Sequence, residues 1–465
     1  MTHLDLIIVF AYVLLLFCVG VCVGIRETSE DFLILSRKAN VFLVAFSIIS
    51  SWVGVGVVAG TAAAAYDSGI SFALTSAVGA VVAVVAAGLF APRIKAFGDR
   101  HGAHTIGDFF GIRYSRGARL VVSGLVVCVY SLFTAVQFNG LARMLNVWTA
   151  LDFRFAIGFA AVAVIVYTAF AGIKSDFYTD AVHFVVMILV LLFVLVPVMA
   201  SVTNGFRTLG TLPASFFRPF SFGGPGYFFG GIVFGIGVVF VSMELWQRIY
   251  ASTTQKRARG ALVAAAFGVI PFYVVAALAG LVLRSSGAVI PNRDLALFVM
   301  MKQFLPAGVL GLGVAAFVAC FISAANSMIM VVSATLTKDF VETLRRSPLG
   351  EKTRLRVARA LTLIAGLLGA ILSLLVRDIV SLSILALFLL LVMLPAVLGG
   401  FFWRRATASA AIWSVLAGLL ATLASISRLG PNAFLPGVLV STMAFVGLSL
   451  VTRHGSSEIP KEQLC

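Results

Sequence analysis

The sequence contains few charged residues and few cysteines. Only 11% of its 465 residues are charged, whereas about a quarter are charged in a typical soluble domain. Its five cysteines give no disulfide framework, because four of them lie inside apolar stretches. A His-Glu-x-x-His zinc motif, a glycine-rich phosphate loop and a Gly-x-Ser-x-Gly elbow are all missing. We therefore expect neither a soluble protein nor an enzyme.

Long apolar runs dominate instead. The chain is 61% hydrophobic, with a mean hydropathy of +1.09, and a membrane-spanning helix needs about 20 apolar residues. We predict one all-α transmembrane domain over 1–465. Its thirteen expected spans are about 4–25, 40–66, 70–92, 118–145, 155–172, 178–201, 227–248, 258–284, 306–335, 357–376, 379–402, 407–427 and 434–452.

The basic residues predict the orientation of these spans. If the N-terminus lies outside, the inside loops hold 25 of the 34 lysines and arginines and the outside segments hold eight. Cytoplasmic loops carry such an excess. We therefore expect an outside N-terminus, a cytoplasmic C-terminus and a cell membrane location, with the bacterial inner membrane favoured. The net charge of +16 lies in short loops, so we expect no nucleic-acid partner, and no obligate protein partner is evident.

Glycines interrupt the second and seventh spans. The second span contains Gly54, Gly56 and Gly60, and the seventh contains Gly230, Gly231, Gly235 and Gly237. Because these spans are five apart, each is expected to open a five-helix repeat, at about 40–201 and 227–402. The two repeats must be inverted, since five is odd. Two extra spans over 407–452 and a tail over 453–465 complete the chain. Matching broken helices in two halves indicate a transporter with a midplane site, although tight helix packing explains either segment alone.

The stretch from Ala319 to Phe340 is apolar but rich in small oxygen-bearing side chains. Neutral oxygens at close quarters suit an alkali cation. This helix is expected to supply hydroxyls, and a break near Phe46–Ile49 is expected to supply backbone carbonyls. The alternative is that the serines and threonines bond only to their own helix.

Five segments, in order, resemble the sodium:solute symporter family, the group of sodium–glucose, sodium–proline and sodium–sialic acid transporters. The resemblance covers nearly the whole chain, although His183 stands where the family usually has glutamine. The segments are TIGDFFGIRYS (105–115), AGIKSDFYTDAVHFVVM (171–187), ELWQRIYASTTQKRARGA (244–261), SAANSMIMVVSATLTKDF (323–340) and GGFFWRRATASAA (399–411).

The resemblance implies a five-plus-five inverted-repeat fold and a sodium ion as the coupling ion. Carried over to this sequence, the sodium ligands are the carbonyls of Phe46, Ile49 and Cys320 and the hydroxyl of Ser323. Ala324 stands where the family usually has serine or threonine, so one expected ligand is missing. A second ion or an exit path is implied at Asp180, Asn326 and Ser327.

Two charged positions near span ends are open to a simpler interpretation. Asp180 lies a few residues into its span, so it is either a solvated carboxylate near the inner surface or a functional group. Glu244 and Arg248 are four residues apart, which predicts an ion pair within one helix.

The resemblance further implies that substrate contacts come from helices near the breaks. The candidates are Ser50, Ser51, Trp52, Val53, Gln137, Phe234 and Ser383, with Tyr130, Asn139, Phe240, Ser242, Ser381 and Phe388 as further possibilities. This lining is apolar and shows no obvious buried cation. A sugar would require more hydrogen-bonding groups. An amino acid or a monocarboxylate is therefore favoured.

The resulting hypothesis is a symporter that couples inward sodium flow to uptake of a small organic solute by alternating access. Ala324 leaves a proton-coupled symporter on the same fold as an alternative. A solute sensor that does not transport is the alternative from another functional class.

Overall fold

The computed structural model describes residues 2–24, 27–149, 151–345, 347–375, 378–429 and 433–452. In chain order the helices are α1 (His3–Gly24), α2 (Ser29–Ile34), α3 (Val41–Trp52), α4 (Val55–Ser68), α5 (Ser71–His101), α6 (Ile106–Arg113), α7 (Arg116–Thr149), α8 (Phe153–Val190), α9 (Val196–Val202), α10 (Gly224–Val241) and α11 (Met243–Ala251). They continue with α12 (Gln255–Gly268), α13 (Ile270–Ser285), α14 (Ala296–Phe304), α15 (Val309–Thr335), α16 (Thr343–Arg345), α17 (Glu351–Ser373), α18 (Ile379–Leu391), α19 (Leu394–Phe402), α20 (Ala408–Leu429) and α21 (Phe434–Val451). π-helical turns at Leu191–Leu195 and Leu336–Glu342 join α8 to α9 and α15 to α16.

The expectation of an all-α polytopic membrane protein is confirmed. Eleven helices in the described part of the chain are long and apolar enough to cross a membrane, and the bent pair α3–α4 raises the number to twelve. The expected span at 155–172 corresponds to a shorter apolar helix, Phe153–Ala169. It ends before Gly172, whose φ of 54° kinks α8. Many large apolar side chains face outward, including Phe10 at 70% exposure and Phe155 at 74%, as a lipid-facing surface requires.

The first broken helix is present, but its break is not near Phe46–Ile49. Helix α3 runs regularly to Trp52, and the chain then bends by 50° into α4. Gly54 lies at the bend, where an added Cβ would come 2.7 Å from Gln137 Oε1 and 2.9 Å from the Cβ of Ala324. Gln137 Oε1 accepts a 2.9 Å hydrogen bond from the Val55 N–H. The amide therefore satisfies one of the free donors that the break exposes.

The second broken helix is interrupted at Ser242, not at its glycines. Ser242 has φ −76° and ψ 106°, and it separates α10 from α11. Gly231 and Gly235 lie inside the regular part of α10. An added Cβ at Gly235 would lie 3.1 Å from the carbonyl oxygen of Gly79 on α5. These glycines therefore permit close packing of α10 against α5.

Hydrogen bonds join the start of the first broken helix to the end of the second. The Ala39 N–H donates to the Ala251 carbonyl at 2.9 Å, and the Thr253 N–H donates to the Ala39 carbonyl at 3.1 Å. Ala39 immediately precedes the N-cap of α3, and Ala251 ends α11. This short parallel contact holds α3 and α11 beside each other.

Helix α15 is the central element. It packs against α1, α3, α7, α8, α11 and α17. Every residue from Gly313 to Thr335 is buried. An apolar helix with no lipid-facing side is typical of the core of a membrane bundle. Its polar side chains therefore interact with other helices, with their own backbone or with a ligand, and not with lipid.

Two of the segments that carry the family resemblance stabilise one end of this central helix. Thr105 and Asp108 form a capping box at the start of α6. Thr105 Oγ1 and Ser123 Oγ each donate a 2.8 Å hydrogen bond to the carboxylate of Asp339. Asp339 is fully buried, so these hydroxyls replace the water that its charge would otherwise require.

Candidate functional site

Four helices bring a cluster of buried polar side chains together. Each member is at most 1% exposed. We call this group the buried polar cluster; its members are Ser47 on α3, Asp176 and Asp180 on α8, Arg248 on α11, and Ser323, Asn326 and Ser327 on α15.

Asp180 accepts hydrogen bonds from serines on two helices, α3 and α15. One carboxylate oxygen accepts a 2.5 Å hydrogen bond from Ser47 Oγ, and the other accepts one from Ser323 Oγ. Its main-chain carbonyl accepts a 2.8 Å bond from Ser50 Oγ. The interpretation of Asp180 as a solvated carboxylate is therefore wrong, because the side chain is 0% exposed. The neighbouring helices cover the position that span counting placed near the surface.

Asp176 lies one helical turn before Asp180 and faces the same way. It accepts hydrogen bonds from Asn326 Nδ2 and, at 3.0 Å, from Ser327 Oγ. The oxygen of the same side-chain amide, Asn326 Oδ1, is buried and has no hydrogen-bond partner. A buried acceptor without a donor indicates an incomplete site. Such an oxygen can coordinate a hard cation.

Arg248 lies between the two carboxylates. Its Nη2 is 3.4 Å from a carboxylate oxygen of Asp176 and also 3.4 Å from one of Asp180. Its Nε donates to Ser47 Oγ at 2.9 Å, and its Nη2 donates to Ser327 Oγ at 2.7 Å. The only bond to Glu244 among those described runs from Nη1 to the main-chain carbonyl, at 3.2 Å. The expected Glu244–Arg248 ion pair is therefore wrong, because Arg248 reaches the carboxylates of α8 instead.

The cluster carries more negative than positive charge when its members are ionised. Two carboxylates face one guanidinium, which leaves one negative charge without a buried counter-charge. Removing an ion from water costs several kcal/mol even after relaxation. One monovalent cation would balance this charge, and the hydroxyl, amide and carboxylate oxygens offer it a hard-donor environment.

The two predicted ion sites adjoin each other. Ser323, which is implied for the primary site, donates a hydrogen bond to Asp180, which is implied for the second site. This bond connects the two sites. Cys320 lies one turn before Ser323 on α15. Phe46 and Ile49 flank the cluster residue Ser47 along α3, and the Ile49 carbonyl accepts a 2.9 Å bond from the Val53 N–H. The assignment of these residues as ion ligands stays a prediction.

A cavity of about 1150 Å³ extends from the first break towards α5, α10, α18 and α21. Five of the seven predicted substrate residues line it, namely Ser51, Trp52, Gln137, Phe234 and Ser383. Ser50 and Val53 do not appear in that lining. Ser50 bonds Asp180 instead, and Val53 is 0% exposed. Ser50 and Ser51 are adjacent, so one turn of α3 contacts both the buried polar cluster and the cavity.

Sequence reasoning missed Ser47, Asp176 and the role of Arg248. One signal was available, because Asp176 and Asp180 are four residues apart and therefore share a helix face. Ser323 and Ser327 show the same spacing on α15. The position of Arg248 could not be read from spacing, since it depends on how α11 packs against α3 and α15.

Comparisons with known proteins agree with this fold. The family model described as "Sodium:solute symporter family" matches residues 32–418. The sodium/pantothenate symporter of Escherichia coli strain K12 is 26% identical over 94% of each chain. A sodium/proline symporter of Staphylococcus aureus is 23% identical over 96% of this chain and 92% of the relative.

A solved structure has the same fold over almost the full length. It is described as the substrate-bound outward-open state of a Na⁺-coupled sialic acid symporter. It superimposes with a TM-score of 0.84 at 17% identity and covers 98% of this chain and 99% of its own. These relatives are transporters rather than enzymes. The resemblance seen in the five segments is confirmed, and the chain belongs to the sodium:solute symporter family.

Proposed function

We propose that this chain is a sodium-driven symporter that moves a small organic solute across a membrane by alternating access. The observation that carries the proposal is that two buried carboxylates face a single guanidinium in the buried polar cluster, which leaves one negative charge unbalanced when both are ionised. An ion that enters this cluster removes the imbalance. The transport of sodium named for the relatives supports the choice of ion.

The proposed ion site uses oxygens of different kinds. Asp180 supplies the charge, Ser323 supplies a hydroxyl, and Asn326 supplies an amide oxygen without a hydrogen-bond partner. The family resemblance implies the carbonyls of Phe46, Ile49 and Cys320 with the Ser323 hydroxyl as the primary site. It implies Asp180, Asn326 and Ser327 as a second ion site or exit path, and we propose that the two groups of ligands adjoin at Ser323 and Asp180. The Ser323 hydroxyl donates its proton to Asp180, and the lone pairs of the Ser323 oxygen remain available to a cation.

Ion binding and solute binding are proposed to meet at the end of α3. Ser50 bonds the main chain of Asp180, and Ser51 lines the cavity. An ion that fixes Asp180 therefore also fixes the last turn of α3 and the break that follows. The effect must be reciprocal, because coupling between two bound ligands is a shared free energy.

The solute proposed from the sequence is an amino acid or a monocarboxylate rather than a sugar. The cavity supports a modestly polar solute, since aromatic and glycine residues form much of its lining. We further propose a bacterial inner membrane location, an outside N-terminus, a cytoplasmic C-terminus and activity without an obligate protein partner. The repeat boundaries at 40–201 and 227–402 stay predictions.

A sodium titration of the purified protein tests the proposal without knowledge of the solute. Melting temperature is measured as NaCl replaces KCl at constant ionic strength. A ligand that binds only the native state raises its stability by RT ln(1 + [L]/Kd). We expect the melting temperature to rise with sodium and not with potassium. Equal melting temperatures in the two salts would contradict sodium coupling.

Proton coupling on the same fold remains the second candidate. Two observations favour it: Ala324 supplies no hydroxyl, and the surplus carboxylate of the cluster could be neutralised by a proton. The urea-proton symporter DUR3 of Oryza sativa subsp. japonica is 28% identical over a segment that covers 36% of this chain and 23% of that protein. A melting temperature that depends on pH but not on sodium would favour this alternative.

A further inference from the structure

The wall of the solute cavity contains one carboxylate, that of Glu244. Glu244 is the only Asp, Glu, Lys or Arg among the residues that line the cavity in the described part of the chain. It lies in the first turn of α11, two residues after the break at Ser242. The second broken helix therefore places a negative charge at the cavity wall.

One oxygen of the Glu244 carboxylate makes no hydrogen bond. This oxygen, Oε2, is buried and has no hydrogen-bond partner. The nearby Arg248 does not satisfy it, because Nε and Nη2 bond to the buried polar cluster and Nη1 bonds to the Glu244 carbonyl. A buried carboxylate oxygen without a partner is costly. Because Glu244 lines the cavity, rotation of its carboxylate towards the cavity would let a ligand supply the missing donor.

The rest of the lining suits a positive charge. Trp52, Phe133, Tyr273 and Phe234 contribute aromatic rings to the cavity wall. An ammonium group near an aromatic face is attracted by the negative potential of the ring. A carboxylate beside Glu244 would instead meet a like charge with no cation in the lining to offset it.

We propose that Glu244 binds a protonated amino group of the transported solute. This inference rests on the proposed function, because it takes the cavity as the solute site. It narrows the solute class to protonated amines and amino acids. Simple monocarboxylates, which carry only the negative group, are disfavoured.

Charged thiol reagents test this assignment without knowledge of the solute. The variant Ser383→Cys places a reporter thiol in the cavity, in a background without the native cysteines. Its modification rate is measured with a cationic reagent, trimethylammonium-ethyl methanethiosulfonate, and with an anionic one, sulfonatoethyl methanethiosulfonate. Each rate is divided by the rate at which the same reagent modifies a small thiol free in solution. We expect the corrected ratio to favour the cation by about tenfold, as a focused local charge produces. The native cysteines to be replaced are Cys18, Cys22, Cys128, Cys320 and Cys465.

Three variants identify the source of the preference. Glu244→Gln should reduce the cation-to-anion ratio about tenfold, and Glu244→Asp should largely retain it. Glu351→Gln, which removes an exposed glutamate outside the cavity lining, should leave the ratio unchanged. A corrected ratio near one in the parent protein would overturn the assignment even if Glu244→Gln failed to fold. An unchanged ratio in Glu244→Gln, or a reporter that reacts with neither reagent, would also overturn it.

The sodium titration separates this inference from the proposed function. A cavity that prefers cationic reagents in a protein that sodium does not stabilise would leave Glu244 assigned and contradict sodium coupling. Sodium stabilisation without a charge preference in the cavity would retain sodium coupling and refute the role of Glu244.

Discussion

Arg248 determines the charge balance of the buried polar cluster. It is 1% exposed and bonds residues of α3, α8 and α15. A buried guanidinium is stabilised by partners that reach it from several directions. The same contacts give Arg248 a part in ion binding, since a sodium ion at Asp180 has to share that carboxylate with the guanidinium.

Neutralising first Arg248 and then also Asp176 tests the charge balance of the buried polar cluster. Arg248→Gln leaves two buried carboxylates without a cation, and loss of one partner of a buried ion pair costs about 3–5 kcal/mol. Adding Asp176→Asn restores the original net charge of the cluster. We therefore expect the double variant to melt at a higher temperature than Arg248→Gln alone. Purely additive destabilisation by the two changes would argue against this charge balance.

Ser323 is the side-chain hydroxyl proposed for the sodium site. In Ser323→Ala the ion loses one ligand, and Asp180 loses a hydrogen-bond donor. Leaving a buried polar partner unsatisfied costs about 1–3 kcal/mol, which corresponds to roughly a ten- to hundredfold loss of affinity. The midpoint of the sodium-dependent melting shift should therefore move to higher sodium concentration.

Ser333→Ala is the matched control for Ser323→Ala. Ser333 is a buried serine on the same helix, but its hydroxyl donates to the Ala358 carbonyl at 2.8 Å, away from the cluster. Its loss is expected to lower the melting temperature without moving the sodium midpoint. If both alanine variants moved the midpoint equally, Ser323 would have no special role.

At the scale of elements, the two broken helices show what glycine patterns can and cannot predict. The pattern correctly indicated that the second and seventh spans are interrupted. It did not give the positions, because a glycine breaks a helix only where its surroundings stabilise the bend. At Gly54 those surroundings are Gln137 and Ala324 from other helices. Gly235 instead lies in a regular helix, packed against α5.

Gly54→Ala tests the first break. Its new Cβ would lie 2.7 Å from Gln137 Oε1, where the hydrogen bond to the Val55 N–H would have to shift. We expect the midpoint of the sodium-dependent melting shift to move at least tenfold to higher sodium concentration, because the proposed sodium site adjoins this turn. Gly260→Ala is the control, since nothing lies within 4 Å of its added Cβ. A wild-type sodium midpoint in Gly54→Ala would show that the bend tolerates a side chain.

At the scale of the whole molecule, apolar runs and motif order predicted the fold class and the family. Those signals are local, since a span needs only its own composition and a motif only its own spacing. The site depends on contacts between distant segments, such as Ser47 with Asp180 or Arg248 with Ser327. No periodicity along the chain encodes these contacts. Residues brought in from separate helices were therefore missed unless the family resemblance supplied them.

The orientation of the whole molecule is the remaining test. The split of 25 basic residues against eight predicts that Thr2 lies outside and Glu351 lies inside. Both residues are exposed, so a cysteine at either position should be accessible from its own side. A membrane-impermeant maleimide added to intact cells should label Thr2→Cys and not Glu351→Cys, with the native cysteines removed. Permeabilised cells provide the control, because both positions should then react. Labelling of Glu351→Cys alone in intact cells would reverse the orientation, and it would reverse the direction of transport inferred for the cavity and the buried polar cluster.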